Sequence, residues 1–330
     1  MPLITALTTS PDPTPETPAV PAPQMPVEQL GCVSITYVDP TGRRWMMTDL
    51  ELDWWVLGQG VSGLGATPYT VTSDPHPRGG AVIRHVQAQA RTIVWPMWVQ
   101  GDDHQSFIDL WRELGYAITR TLTEGRPGWL EVSRPDGRIR RIAVTYQEGW
   151  EGQGSDGSGI TWDKAVVTFL CPDPYWVDTE PESIHRESGT GTDYLVPYPT
   201  VSSSQTLGDT TLVNRGNVEV WPSWTLTGPL SAATFTRTIQ GPDGPLTGSF
   251  TLTMSDTPHG PLLPGETVII STDPPSVRSG SGENLLGGLD WPTAVLWSLP
   301  PGETEVSFVV AGSGPGTAID CTYYPRYETA

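Results

Sequence analysis

Lysine is almost missing from this chain. Of its 18 basic residues only Lys164 is a lysine, and 37 acidic residues bring the net charge to −19. Both halves share the imbalance, with 23 acids against 13 bases over residues 1–183 and 14 against 5 over residues 184–330. No basic patch survives that balance, so sequence-specific nucleic-acid binding is not expected. Nothing in folding physics asks for arginine in place of lysine, and we read the bias as codon usage in a GC-rich genome. Cysteine is scarce too. Cys32, Cys171 and Cys321 are odd in number and widely spaced, whereas a disulfide framework or a zinc knuckle needs pairs. Buried reduced thiols, in a chain folded in a reducing cytoplasm, are the expectation. No run approaches the ~20 apolar residues of a membrane span. Met1–Thr9 also lacks the charged start and apolar centre of a secretory signal, so no membrane association is expected.

The residues of chemistry are present but not arranged. No serine lies in a Gly-x-Ser-x-Gly elbow. His76, His85, His104, His185 and His259 are scattered, with no pair at zinc-ligand spacing. The stretch LGQGVSGLG holds Gly58-x-Gly60-x-x-Gly63, a formal dinucleotide fingerprint, but Gly65 and Pro68 follow where a helix must open, so it reads as a loop. Asp102-Asp103-His104 stands where a helix wants a cap and negative charge. No carboxylate pair is singled out for glycoside hydrolysis. The expectation is no enzyme, no cofactor and no metal.

What is present is turn chemistry and tryptophan. Gly 36 and Pro 34 exceed a fifth of the 330 residues, which suits many short strands joined by tight turns. Apolar residues make up 37%, including 14 tryptophans, enough for two domains with their own cores. Residues 1–27 open the chain with eight prolines before Val27, and read either as a disordered tail or as an extended arm lying across a neighbouring subunit.

Residues 28–183 read as an α+β domain of strands around one helix. VSITYV alternates, DPTG (39–42) turns, and RRWMMTDLELDWWVL returns as a strand-like run. GAVIRHVQAQARTIVWPMWVQ (80–100) is a long strand region, broken or bulged at Pro96. Asp102 or Asp103 then caps a helix whose apolar stripe is Phe107, Leu110, Trp111 and Leu114, ending near Gly115 or fraying through Ala117–Leu122. A hairpin around Pro135-Asp136-Gly137, the polar loop GQGSDGSG (152–159) and the strand WDKAVVTFL follow, with Ala165, Val167 and Phe169 on one face.

Residues 184–211 read as a linker, and residues 212–330 as an antiparallel β-sandwich of about seven strands. VEVWPSWTL, TFTRTI, SFTLTM, ETVIIST, AVLWSL, TEVSFVV and AIDCTYY recur with turns between them. Pro-Gly-Glu-Thr precedes a strand twice, at 264–267 and 301–304, as type II turn chemistry. The pairs Trp54/Trp55, Trp95/Trp98 and Trp221/Trp224, with Trp291 and Trp297, could line a sugar-binding face; packing is the commoner use of tryptophan.

Between the two domains lies CPDPYWVD (171–178). Pro172 and Pro174 remove donors and end a strand, while Tyr175 and Trp176 carry too much apolar area for a solvated turn. A corner of Asp173, Pro174, Tyr175 and Trp176, placed after a strand–helix–hairpin domain and before a Gly/Pro-rich sandwich, resembles that of the distal tail proteins of long-tailed phages. GVSGLG, SDPHPRGGAV and ARTIVWPMWVQG look like the N-terminal domain of actinobacteriophage minor tail proteins of this type. NRGNVEVWPSWTLTGPL (214–230) and LPPGETEVSFVV look like their galectin-like sandwich. The resemblance implies a structural virion protein that forms a hexameric ring with its N-terminal domain. It implies a tail tube protein above, a tail-tip hub protein below, and receptor-binding or baseplate proteins held by the sandwich. The runner-up is a carbohydrate-binding module reading host-wall glycans.

Overall fold

The computed structural model describes residues 34–133, 137–152, 158–188, 208–241 and 244–330. The Pro-rich arm, Cys32 and the turn residues Pro135 and Asp136 lie outside them. The chain is mainly β, with one α-helix among the described residues. Its first half holds β1 (Ser34–Val38), β2 (Arg44–Met46), β3 (Trp54–Val56), β4 (Tyr69–Pro75), β5 (Ala81–Ala88) and β6 (Arg91–Gln100). Helix α1 (His104–Thr123) follows, then β7 (Gly128–Ser133), β8 (Ile139–Gly149), β9 (Trp162–Cys171) and β10 (Trp176–Asp178).

Seven of these strands pair in the order β2-β1-β7-β8-β9-β6-β3, all antiparallel. Strand β8 pairs first with β7 and then with β9, and a bulge between Tyr146 and Glu148 lets it bend. The curled sheet closes around Ile35, Tyr37, Trp45, Trp95, Met97, Val167 and Phe169, with α1 laid against β6 and β8. The helix begins with Asp103, whose carboxylate accepts from Ser106 N–H at 2.8 Å while Ser106 Oγ accepts from Asp103 N–H at 3.0 Å. Phe107 and Leu114 are buried; Leu110 and Trp111 are partly buried against the same core. The helix runs intact to Thr123, past both the stop near Gly115 and the fraying through Ala117–Leu122 that were expected, because Ala117, Ile118 and Thr121 extend its buried face.

Two expectations are corrected here. The 80–100 run breaks at Gln89 and Ala90, not at Pro96, which sits inside β6. Val94 faces Ser62 with both its backbone groups, so Pro96, two residues on, turns its donorless nitrogen to the same side, where only its carbonyl is used, by Leu57 N–H. RRWMMTDLELDWWVL is two three-residue strands separated by bends.

The second half holds β11 (Glu182–Glu187), β12 (Asp209–Asn214), β13 (Ser223–Thr227), β14 (Ala232–Gly241) and β15 (Gly244–Thr253). It continues with β16 (Thr267–Thr272), β17 (Pro275–Ser279), β18 (Gly302–Ala311), β19 (Ala318–Tyr323) and β20 (Arg326–Tyr327). A five-stranded sheet, β11-β19-β13-β16-β17, faces a four-stranded one, β12-β18-β14-β15. Between them lie Trp224, Phe235, Phe250, Trp297 and Phe308, with neighbouring ring centroids 4.9–6.1 Å apart. Gly265 and Gly302 take the positive φ of the two Pro-Gly-Glu-Thr turns. AVLWSL is not a strand; Val295 N–H donates to Ser249 O of β15 and Leu299 bridges Val220, while Trp297 and Leu299 are buried.

The expected linker, 184–211, is partly strand. Strand β11 starts at Glu182 and pairs along its whole length with β19. The N-terminal core is also not one continuous piece of chain: Tyr327 and Ala330 are buried in it, and β20 pairs with β10.

Candidate functional site

The stretch CPDPYWVD is an excursion from a strand rather than its end. Leu170 faces Thr145 of β8, and Val177 faces Arg141. Seven residues of one strand therefore span four of the other, so three residues are looped out of the ladder. The two prolines make that loop cheap, because neither loses a donor. The indole of Trp176 returns fully into the core. Tyr175 is half-buried, and its N–H donates to Asp173 Oδ1 at 3.3 Å.

Arg91, at the start of β6, holds the excursion from behind. It is 1% exposed, and every guanidinium donor has a partner. Nε donates to Pro174 O at 2.8 Å, Nη1 to Gly63 O at 2.6 Å and Gly65 O at 2.5 Å, and Nη2 to Thr67 Oγ1 at 3.1 Å and Glu328 O at 2.6 Å. Burial pushes its pKa below the usual arginine value. The glycine pattern at 58–65 is thereby explained. Gly63, at φ +90°, lies so close to β6 that a Cβ would stand 2.2 Å from Thr92 O, and the loop's carbonyls face an arginine rather than a phosphate.

Arg326 clasps the excursion from the front. Its Nη2 meets both oxygens of Asp173 at 2.7 and 2.8 Å, and its guanidinium lies 4.6 Å from the Tyr175 ring centroid. Arg140 covers the Tyr327 ring at 3.6 Å and donates to Thr329 O, while Ala330 N–H donates to Leu64 O. Tyr69 Oη donates to Glu328 Oε1 at 2.8 Å; its hydrogen bond with Tyr175, then burial and Glu328, raise its pKa. Burial pushes the neighbouring Cys171 thiol up to about 12, which keeps it protonated and inert. Cys321 is buried in the sandwich, and its pKa is likewise raised by burial.

Two outward surfaces of the N-terminal domain have no such cover. The first is the β4–β5 hairpin, in which every residue except Ala88 is exposed. Its pairs Tyr69–Ala88, Val71–Val86, Ser73–Ile83 and Pro75–Ala81 share one face, and Thr70–Gln87, Thr72–His85 and Asp74–Val82 the other. A bulge takes Arg84 out of the register, and this keeps Ile83 in phase with Val71 and Val86. The hairpin is thus amphipathic; Tyr69 ties the base of its apolar face to Glu328, and Val71, Ile83 and Val86 beyond it are exposed. The second surface lies on β3, β6 and β9, where Trp55, Trp98 and Trp162 stack in a row at centroid distances of 5.9 and 4.6 Å. Lys164 lies 5.4 Å from the Trp98 centroid, and Val166 beside it is 41% exposed.

The structure brings Asp173, Pro174, Tyr175 and Trp176 together with Arg91 and residues 326–330. It places the stripe Phe107, Leu110, Trp111 and Leu114 elsewhere, on the helix. Trp95, Trp224 and Trp297 are core residues and form no sugar platform. Among the described residues no group of three His, Cys, Asp or Glu could hold a metal ion, and no helix is long and apolar enough to cross a membrane. Sequence reasoning missed Arg326 and the hairpin's apolar face. Arg91 did leave a signal, as a single charge opening the apolar run RTIVW.

A similar fold exists in solved structures. The Dit protein of phage SPP1, described as a paradigm of the hub adsorption apparatus in phages infecting Gram-positive bacteria, superposes with a TM-score of 0.60. The match covers 89% of this chain and 98% of that one at 14% identity. This chain has the fold of a phage Dit protein. A chain of the phage P2 baseplate in its activated conformation with calcium matches at a TM-score of 0.50 and 10% identity, over 90% of this chain and 99% of that one. No family model and no curated protein matches the sequence. At such identities the likeness carries architecture, not function.

Proposed function

We propose that this chain is a structural protein of a phage virion, placed at the distal end of the tail. In this reading copies of it form a ring, a hexamer by analogy with distal tail proteins of long-tailed phages. The ring continues the lumen of the tail tube, binds the hub protein below, and presents the galectin-like sandwich outward to receptor-binding or baseplate proteins. The observation that carries the reading is the exposed β4–β5 hairpin. A lone two-stranded ribbon is marginal in water, and one exposing Val71, Ile83 and Val86 at 52%, 63% and 50% has the character of an assembly element. The acidic charge is compatible with a conduit for DNA, since a negative wall repels phosphate rather than trapping it.

The test is the size of the purified full chain. Light scattering should give a mass several times 35.7 kDa, with rings in negative-stain images. The chain should also appear in purified virions, in several copies, by mass spectrometry. A monodisperse monomer that is absent from virions defeats the proposal.

A further inference from the structure

We propose that residues 326–330 act as a strap that couples the sandwich to the base of the β4–β5 hairpin within one chain, with Glu328 as its junction. The inference rests on intramolecular contacts and does not need the ring reading.

The strap leaves the sandwich after β19 and lies between the two domains, bonded to both. Toward the N-terminal domain, β20 pairs with β10, and Ala330 N–H donates to Leu64 O at 3.1 Å. Toward the sandwich, the Arg326 carbonyl accepts from Asn217 N–H at 3.1 Å and Val218 N–H at 3.2 Å. Gly216 lies so close that a Cβ there would stand 2.3 Å from the same carbonyl.

The bonds of Glu328 run in three directions. Its N–H donates to Asn217 Oδ1 of the sandwich at 2.9 Å. Its carbonyl accepts from Arg91 Nη2 of β6 at 2.6 Å, and its carboxylate accepts from Tyr69 Oη at the first residue of the hairpin. These partners lie 111, 237 and 259 residues away, so one strap residue joins what the chain otherwise connects only through whole domains. Depth divides the strap. Tyr327 and Ala330 are buried and anchor it in the N-terminal core, while the bonds to Asn217 and Tyr69 lie at the surface. An opening of the strap breaks all three Glu328 bonds together, and local openings of this kind cost less than global unfolding. The sandwich loop and the hairpin base then loosen in one step. Such coupling is reciprocal: whatever loosens one end must loosen the other.

The test is hydrogen exchange in the full chain, resolved to single amides. Asn217→Ala changes an exposed position, and Tyr69→Phe keeps the ring and removes only the hydroxyl. Asn217→Ala should speed exchange at Ala330 N–H and at Gln89 N–H, which bonds Pro68 O at the hairpin base, by about two- to tenfold, the range for one lost hydrogen bond. Tyr69→Phe should speed Val218 N–H, on the sandwich side, by a similar factor. Glu328→Ala should repeat the effect of Tyr69→Phe. Asp39 N–H, bonded to Arg43 O in the same domain, should keep its wild-type rate throughout. An Asn217→Ala effect confined to Glu328 N–H overturns the proposal, as does an effect that runs in one direction only. A Val218 response to Tyr69→Phe but not to Glu328→Ala also overturns it, since the route would then pass through Tyr175. Faster exchange at Asp39 means general destabilisation and removes the strap as the path.

Discussion

Replacing Arg91 by methionine keeps a side chain of similar reach and removes all five donors. Pro174 O and Thr67 Oγ1 are then buried without their partner, and Gly63 O, Gly65 O and Glu328 O lose theirs at positions that water can partly reach. A fully buried orphan costs about 1–3 kcal/mol, and a partly accessible one roughly 0.5–1.5 kcal/mol. Relief from burying the guanidinium offsets part of the sum. The net loss should be about 4 kcal/mol, a fall of roughly 10 °C in the transition of a domain of this size. Lysine in its place keeps the charge but offers three donors without the planar fork, and should recover less than half. Scanning calorimetry reads both variants. Hydrogen exchange gives a second measure: the Ala330 N–H, bonded to Leu64 O, should lose protection in Arg91→Met before the sandwich strands do. If Arg91→Met melts within about 2 °C of wild type, the five bonds do not hold these segments together and the reasoning fails.

Trp176→Ala should cost ~3–5 kcal/mol, the range for a fully buried large aromatic, and Tyr175→Ala clearly less because Tyr175 is half-solvated; equal melting temperatures for the two variants would contradict this. His185, 2.6 Å from Asp320, has its pKa raised chiefly by that contact. The stability it adds is complete below the unfolded pKa of ~6.5 and is lost as pH rises through the folded value. Both side chains are largely exposed, so the effect stays under ~1 kcal/mol. The sandwich transition should fall slightly from about pH 6 upward, and His185→Gln should flatten that slope; a wild-type curve already flat there removes the pair from the account.

Local chemistry was legible in the sequence wherever a residue's partner lies nearby or its face is simply buried. Ala165, Val167 and Phe169 alternate because one face of β9 meets the core, and Phe107 and Leu114 recur because α1 does the same. The edge strand β11, Glu-Ser-Ile-His-Arg-Glu, shows no such alternation because it buries nothing fully. AVLWSL alternates without forming a strand, since its buried Trp297 and Leu299 are enough to give the pattern. In the hairpin the Arg84 bulge shifts the apolar residues by one, which hides a continuous stripe from any period-two reading. The corner was visible as two prolines and two aromatics. Its partners were not, because Arg91 and Arg326 lie 83 and 153 residues away from the groups they hold.

The sandwich is joined to the rest of the molecule by two strands, not one. The chain enters it through β10 and β11 and leaves through β19 and β20; β10 pairs with β20 and β11 with β19, and Asp178 N–H bonds Pro325 O between them. A paired ribbon of this kind has the form of a leaf spring. It flexes across its broad face, resists bending in its own plane, and shares any pull between two backbones joined by cross-links. Any force on the sandwich would therefore pass to the N-terminal domain through β10 and the excursion that Arg91 and Arg326 grip from either side.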